Sequence, residues 1–166
     1  MGKRALLLIA VAALAGVLPA GAQASVHLKS PDPNGTQALQ QATAAAAVHN
    51  YLQAWEGFRS AFEQNRADLL NRDFIGDAKD KLSQTIQQQT AIGIHTIYQD
   101  RSHDIQIVFY SPEGLSLELI DDVAYDVQLI DQEKRTTNQH VTARYVTVMT
   151  PTETKWRVRV FQAVPK

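Results

Sequence analysis

Asp121 is the residue whose position in the pattern best suits it to chemistry. It shares an alternating row with Leu119 and Val123, so a regular strand would turn its carboxylate inward. Desolvation there would favour the protonated acid and make the group a base or an anchor for a cationic group. The commoner outcome of an acidic step such as Asp121-Asp122 is a bulge or a break between two strands. His95 follows Gly93 at the head of the β-rich half, where an imidazole can exchange protons near neutral pH. At a strand edge such a histidine more often stands half in solvent. His49 sits beside Val48 on a helical stretch, which suits a surface or interface role better than ligation. Catalysis therefore has two candidates, Asp121 and His95, and no motif.

Metal and cofactor chemistry find less. His103 with Asp104, and His95 with Asp100, supply ligand types without a recognised ligand spacing, and no His-x-x-x-His pair lies on a helix. There is no Gly-x-Gly-x-x-Gly, no phosphate-binding loop and no Gly-x-Ser-x-Gly elbow. The chain contains no cysteine, which removes thiolate catalysis, disulfides and cysteine-based zinc sites. No metal and no cofactor is expected.

Binding has a broader basis. Tyr51, Trp55, Phe58 and Phe62 recur at helical spacing, and Tyr98 and Tyr125 fall on strand rows with apolar neighbours. Aromatic residues in such rows are first of all core. The helix that fills the base of a fold can also wall its mouth, so Tyr51, Trp55, Phe58, Tyr98 and Tyr125 are the candidate lining of an apolar ligand pocket.

These residues need helices and then a sheet to position them. The spacing predicts a long helix over 37–64 with Val48, Tyr51, Leu52, Trp55, Phe58 and Phe62 on one stripe, and Gly57 within it marks close packing or a bend. A shorter apolar turn follows at Leu69, Leu70, Phe74 and Ile75. A second helix opens at Gly76-Asp77, with Asp77 as its cap, and ends at Gly93. The period then changes to two. Strands are expected from Ile94, interrupted at Asp100-Arg101-Ser102, and from Leu115 after the turn Ser111-Pro112-Glu113-Gly114. The polar tract 131–139 reads as a loop. The last strands cover 141–149 and 156–160, where Trp156, Val158 and Val160 alternate with Lys155, Arg157 and Arg159. Helices first and antiparallel strands afterwards make an α+β domain, its helices on one face of a curved sheet.

The N-terminus carries an address. Lys3 and Arg4 precede an apolar run from Ala5 to Leu18, and Ala22-Gln23-Ala24 offers a small-residue cut site. This is the arrangement of a cleavable export signal. A run of roughly 14 residues spans about 21 Å as a helix, short of a ~30 Å hydrocarbon core, so no stable membrane span is expected after cleavage. The divisions read from the sequence are a signal at 1–24, a flexible lead-in rich in turn formers at 25–36, and one domain at 37–165. Cleavage removes two cations and takes the formal charge from −1 to −3, which gives no support for nucleic-acid binding.

The order of elements resembles the NTF2-like (cystatin-like cone) superfamily. The resemblance rests on the long first helix, the short helix reading Asp68-Leu69-Leu70-Asn71-Arg72-Asp73-Phe74-Ile75-Gly76, the helix that opens at Gly76-Asp77, and the strand that begins Trp156-Arg157-Val158. It implies a concave sheet wrapped around the first helix, often with a pocket at the open end. It does not choose between isomerases, dehydratases, pocket binders, dimerising domains and assembly factors, and it transfers no catalytic residue to this chain. The expectation is an exported, periplasmic or secreted non-catalytic domain. It would bind a small apolar ligand or a protein partner (a second copy or an envelope protein) through its pocket or its sheet. The alternatives are an isomerase or dehydratase type of enzyme, and an accessory subunit of an envelope complex.

Overall fold

The alanine-rich stretch at residues 44–47 favours helix strongly, and α1 runs Gln41–Gln64. Its stripe of Val48, Tyr51, Trp55, Phe58 and Phe62 is buried. Asn65 ends it in the left-handed region at φ 53, and its amide donates to the Ile94 carbonyl at 2.9 Å. A 3₁₀ helix follows at Ala67–Arg72, then α2 at Gly76–Ala91. Gly93, at φ 74, takes the chain out of α2, its N–H donating to the Thr90 carbonyl. Asp77 lies inside the first turn of α2, not at its cap, because Gly76 at φ 54 already redirects the backbone. There Asp77 pairs with Lys81 one turn on.

The computed structural model describes residues 24–29, 41–132 and 134–164. The expected signal, apart from Ala24, lies outside the described residues, as do residues 30–36 of the expected lead-in and 37–40 of the expected domain. Ser25–Leu28 corrects the lead-in expectation. These residues form β1, paired in parallel with β2 (Ile94–Tyr110). Four exposed residues bury no stripe, so the strand leaves no amphipathic trace in the sequence.

β2, β3 (Leu117–Asp131), β4 (Lys134–Pro151) and β5 (Trp156–Val164) make an antiparallel meander, and the sheet order is β1-β2-β3-β4-β5. The tract expected as a loop at 131–139 is instead the end of a tight hairpin, with Gln132 at φ 46. Residues 137–140 are exposed; with neither face buried there, the alternation that identifies a strand is lost. The step at Asp100-Arg101-Ser102 is a bulge within one continuous β2, and a second bulge lies between Ile107 and Phe109.

The helices occupy the concave side of the sheet. Trp55, Tyr51, Leu70, Phe74, Ile86, Ile105, Leu117, Leu119, Met149 and Val158 are buried there, each side chain of this size contributing roughly 1.5–3 kcal/mol. Two polar clips lock the layers. Gln89 donates to the Phe62 carbonyl at 2.8 Å and to Asn65 Oδ1 at 2.5 Å, and accepts from Thr96 at 2.9 Å. At the other end Asp73, buried, accepts from Arg72 Nε at 3.0 Å and from Lys155 Nζ. Its backbone pairs with Val158.

Candidate functional site: a buried ionic cluster in an aromatic cone

Asp121 stands in regular register, opposite Ile105 on β2 and Tyr145 on β4. The expectation of a bulge or break at Asp121-Asp122 is therefore corrected: the strand runs through, and the carboxylate points inward with no solvent exposure. A carboxylate in that position must be paired. Tyr51 on α1 donates its hydroxyl to Asp121 Oδ2 at 2.9 Å, and His103 Nδ1 lies 2.6 Å from the same oxygen. On its other side His103 Nε2 is 3.6 Å from Asp100 Oδ2, and Arg59 Nε of α1 is 3.3 Å from that oxygen.

The four charged groups balance when His103 is protonated: Arg59 and His103 against Asp100 and Asp121. Burial alone would lower the His103 pKa. The hydrogen bonds and charges of Asp100 and Asp121 outweigh it and raise the pKa to about 9. Burial, with the charge of Asp121 beside it, pushes the Tyr51 hydroxyl well above its ordinary value. Burial also raises Tyr98 to about 12. At neutral pH the cluster is an imidazolium clamped between two carboxylates, with neutral phenols around it.

Aromatic rings enclose this cluster. Trp55 makes edge contacts with His103, Tyr145, Phe58 and Phe161 at centroid distances of 5.2–5.4 Å. Tyr145 stacks on Phe161 at 4.7 Å, and Tyr98 contacts Phe58 and Tyr125. The five candidate ligand residues, Tyr51, Trp55, Phe58, Tyr98 and Tyr125, do come together, and they meet as packed core. Among the buried polar atoms left without a hydrogen-bond partner are Trp55 Nε1, Thr147 Oγ1 and Asp121 Oδ1. A surface cleft of about 420 Å³ lies elsewhere, between α1 and the 3₁₀ helix, lined by residues that include Glu56, Ser60, Asp68 and Arg72.

The two catalytic candidates are not brought together. His95 pairs with Ile130 near the far end of β2, roughly 25 Å along the strand from His103. The residues that do join Asp121 are His103, Asp100 and Arg59. The bulge hides them from the sequence: Thr96, Tyr98 and Asp100 face inward on one parity, and His103, Ile105 and Ile107 on the other. The switch of apolar parity between Tyr98 and Ile105 is the signal that marks the bulge. Among the described residues, no group of three or more acidic and histidine side chains is arranged to hold a metal ion, and no helix is long and apolar enough to cross a membrane.

No family model matches the sequence, and no curated protein matches it. Solved structures do. The intermembrane-space region of the chloroplast protein ARC6 superposes with a TM-score of 0.62 at 12% identity, covering 78% of this chain and all of that one. A scytalone dehydratase-like protein of Novosphingobium aromaticivorans gives 0.54 at 11% identity, covering 76% of this chain and 89% of its own. An aromatic ring hydroxylase-like protein of the same species gives 0.52 at 12%, covering 76% and 96%. The fold is the NTF2-like cone. At such identities the likeness carries the fold and no residue roles. The interior of this cone is closed by aromatic packing over an ionic cluster.

Proposed function

We propose that the chain is an exported, non-catalytic interaction domain that binds a protein partner on the convex face of its sheet. The filled cone is the observation that carries this reading. Tyr51, Trp55, His103 and Asp121 are at most 2% exposed, which leaves a small molecule nothing to enter without unpacking the core. The opposite face carries apolar side chains that none of the described helices covers. Cross-strand partners share a face, so the row Phe109–Glu118–Val148–Val160 and the row Gln106–Ile120–Val146–Gln162 lie side by side on it. Phe109 is 41% exposed. A broad apolar band rimmed by ion pairs suits a protein surface better than an enclosed ligand. Export is supported by the signal arrangement of residues 1–24 and by a structural neighbour that lies in an intermembrane space.

Native mass spectrometry of the chain purified from its exported fraction, beside the Val148→Asp variant, tests this. The expected result is a chain beginning at Ser25 with a protein partner or second subunit that the variant loses. A bound small molecule retained by the variant would place the function inside the cone instead.

One observation favours a second reading. The His103–Asp121 pair with Tyr51 is an acid–base arrangement of the kind an isomerase or dehydratase uses, and a dehydratase-like protein is among the structural neighbours. This reading requires the core to open around Trp55. Turnover of a hydroxylated ring substrate that Asp121→Asn abolishes and Val148→Asp leaves intact would establish it.

A further inference from the structure

We infer that the outer edge of β2 over Ser102–Ile105 is a strand-docking site which the Ser25–Lys29 segment of a second copy fills by exchange. β1 is the one parallel strand among the described residues of the sheet, and it comes from ahead of α1. The edge it covers is not uniform. The bulges at Asp100/Ser102 and Ile107/Phe109 twist the backbone and stop regular pairing, a common defence of exposed edges. Only the stretch between them is a regular template, and β1 sits on it from Ser25↔Ser102 to Leu28↔Ile105. The Lys29 N–H extends the ladder to the Ile105 carbonyl at 2.8 Å.

What holds β1 there is chiefly backbone pairing. All four residues are exposed, Val26 at 43% and Leu28 at 54%, and parallel pairing is the weaker ladder. Among the described residues its side-chain anchor is Lys29 Nζ, at 3.8 Å from Asp122 Oδ2. A short strand with so little buried opens locally at low cost. Opening uncovers the regular edge, and the Ser25–Lys29 segment of another copy brings the same register and the same cation. Exchange regains every contact and loses none, so concentration alone decides between closed and exchanged forms. The connection from β1 to α1 is residues 30–40, a length of chain that spans at most about 3.3–3.6 Å per residue.

The absence of natural cysteine permits a clean test. His27 and Asp104 are register partners and belong to neither the ionic cluster nor the apolar band. The variants His27→Cys and Asp104→Cys, purified from the exported fraction, are mixed, oxidised and weighed, with one carrying a mass label. Exchange gives the mixed disulfide in excess of either homodimer, rising as concentration approaches the ~mM effective concentration of a tethered strand. Without a mixed disulfide the proposal falls, in either of two ways. If the double variant closes within one chain, β1 is seated and does not exchange; if it does not close, β1 is not seated. A partner lost with Val148→Asp would survive all of these outcomes, so the failure of exchange is separable from failure of the convex-face reading.

Discussion

The two faces of one strand carry opposite electrostatic arrangements. On β3, Leu117, Leu119, Asp121 and Val123 are buried, while Glu118, Ile120 and Asp122, between them, are half-exposed. On the concave side Asp100, His103 and Asp121 are enclosed, and Arg59, 34% exposed, completes a balance of two cations against two carboxylates from the edge of the core. On the convex side the ion pairs Arg144–Asp122 and Arg101–Asp126 and the hydrogen bond between His140 and Asp126 are partly exposed, where each pair contributes little. Charge is costly only where water is excluded, so the concave cluster must be complete. Apolar surface is unfavourable only where water remains, so the convex band is the part that gains by being covered. The first face stabilises the fold, and the second is available to a partner.

The contrast breaks most sharply at Asp121. Asp121→Ala leaves His103 and Tyr51 without their acceptor in the core, and we expect a loss of about 3–5 kcal/mol, measured by urea unfolding at pH 7. A loss below about 1 kcal/mol would mean that the cluster is solvated and the two faces are alike. Raising the pH tests the same balance. Because the folded-state pKa of His103 is raised to about 9, against an ordinary value of ~6.5, its stabilising contribution is complete below about pH 6.5 and disappears as pH rises through 9. The total is about 3 kcal/mol at ~1.4 per unit. The urea midpoint should fall between pH 7 and 10 in the native chain and stay nearly level in His103→Gln. An equal fall in the variant would assign the titration to other groups.

How much of this was legible in the sequence follows from the same contrast. The helices, the meander and the inward row of β3 declare themselves because one face is buried and the other is not. Where that difference fades, at the exposed residues 137–140 and at β1, the pattern has nothing to report. The cluster was half legible. Asp121 sits on the apolar row of its own strand, whereas Asp100 and His103 lie on opposite parities and only the bulge turns both inward. Arg59 lies off the apolar stripe of α1, yet its long side chain reaches Asp100, as a guanidinium on an extended stem can. Residue order shows which face an isolated side chain takes and is silent where an irregularity or a long side chain changes it.

Gly57 sharpens the boundary of the enclosed region. A Cβ there would lie 3.0 Å from the Asp73 carboxylate oxygen, which Lys155 and Arg72 hold in place. Overpacking of this kind costs about 1–3 kcal/mol, and the gain in helix propensity returns roughly 1 kcal/mol. Gly57→Ala should therefore lower stability by about 1 kcal/mol on balance. A more stable variant would show that Asp73 can swing aside, and that this clip is looser than the cluster around Asp121.

The smallest effect on folding belongs to the convex face and decides the most about function. Val148 pairs with Glu118 and Val160 and is partly buried, so Val148→Asp sets a carboxylate opposite Glu118 and should cost the isolated chain no more than about 1 kcal/mol. In a complex the same carboxylate would be buried against apolar partner surface with no cation beside it, a cost of several kcal/mol that removes the interaction. Normal unfolding together with loss of the co-purifying protein would separate the two faces by experiment: one whose disruption unfolds the chain, one whose disruption only leaves it alone. Unchanged stability with the partner still bound would mean that the apolar band is idle surface, and that recognition belongs to the sheet edges.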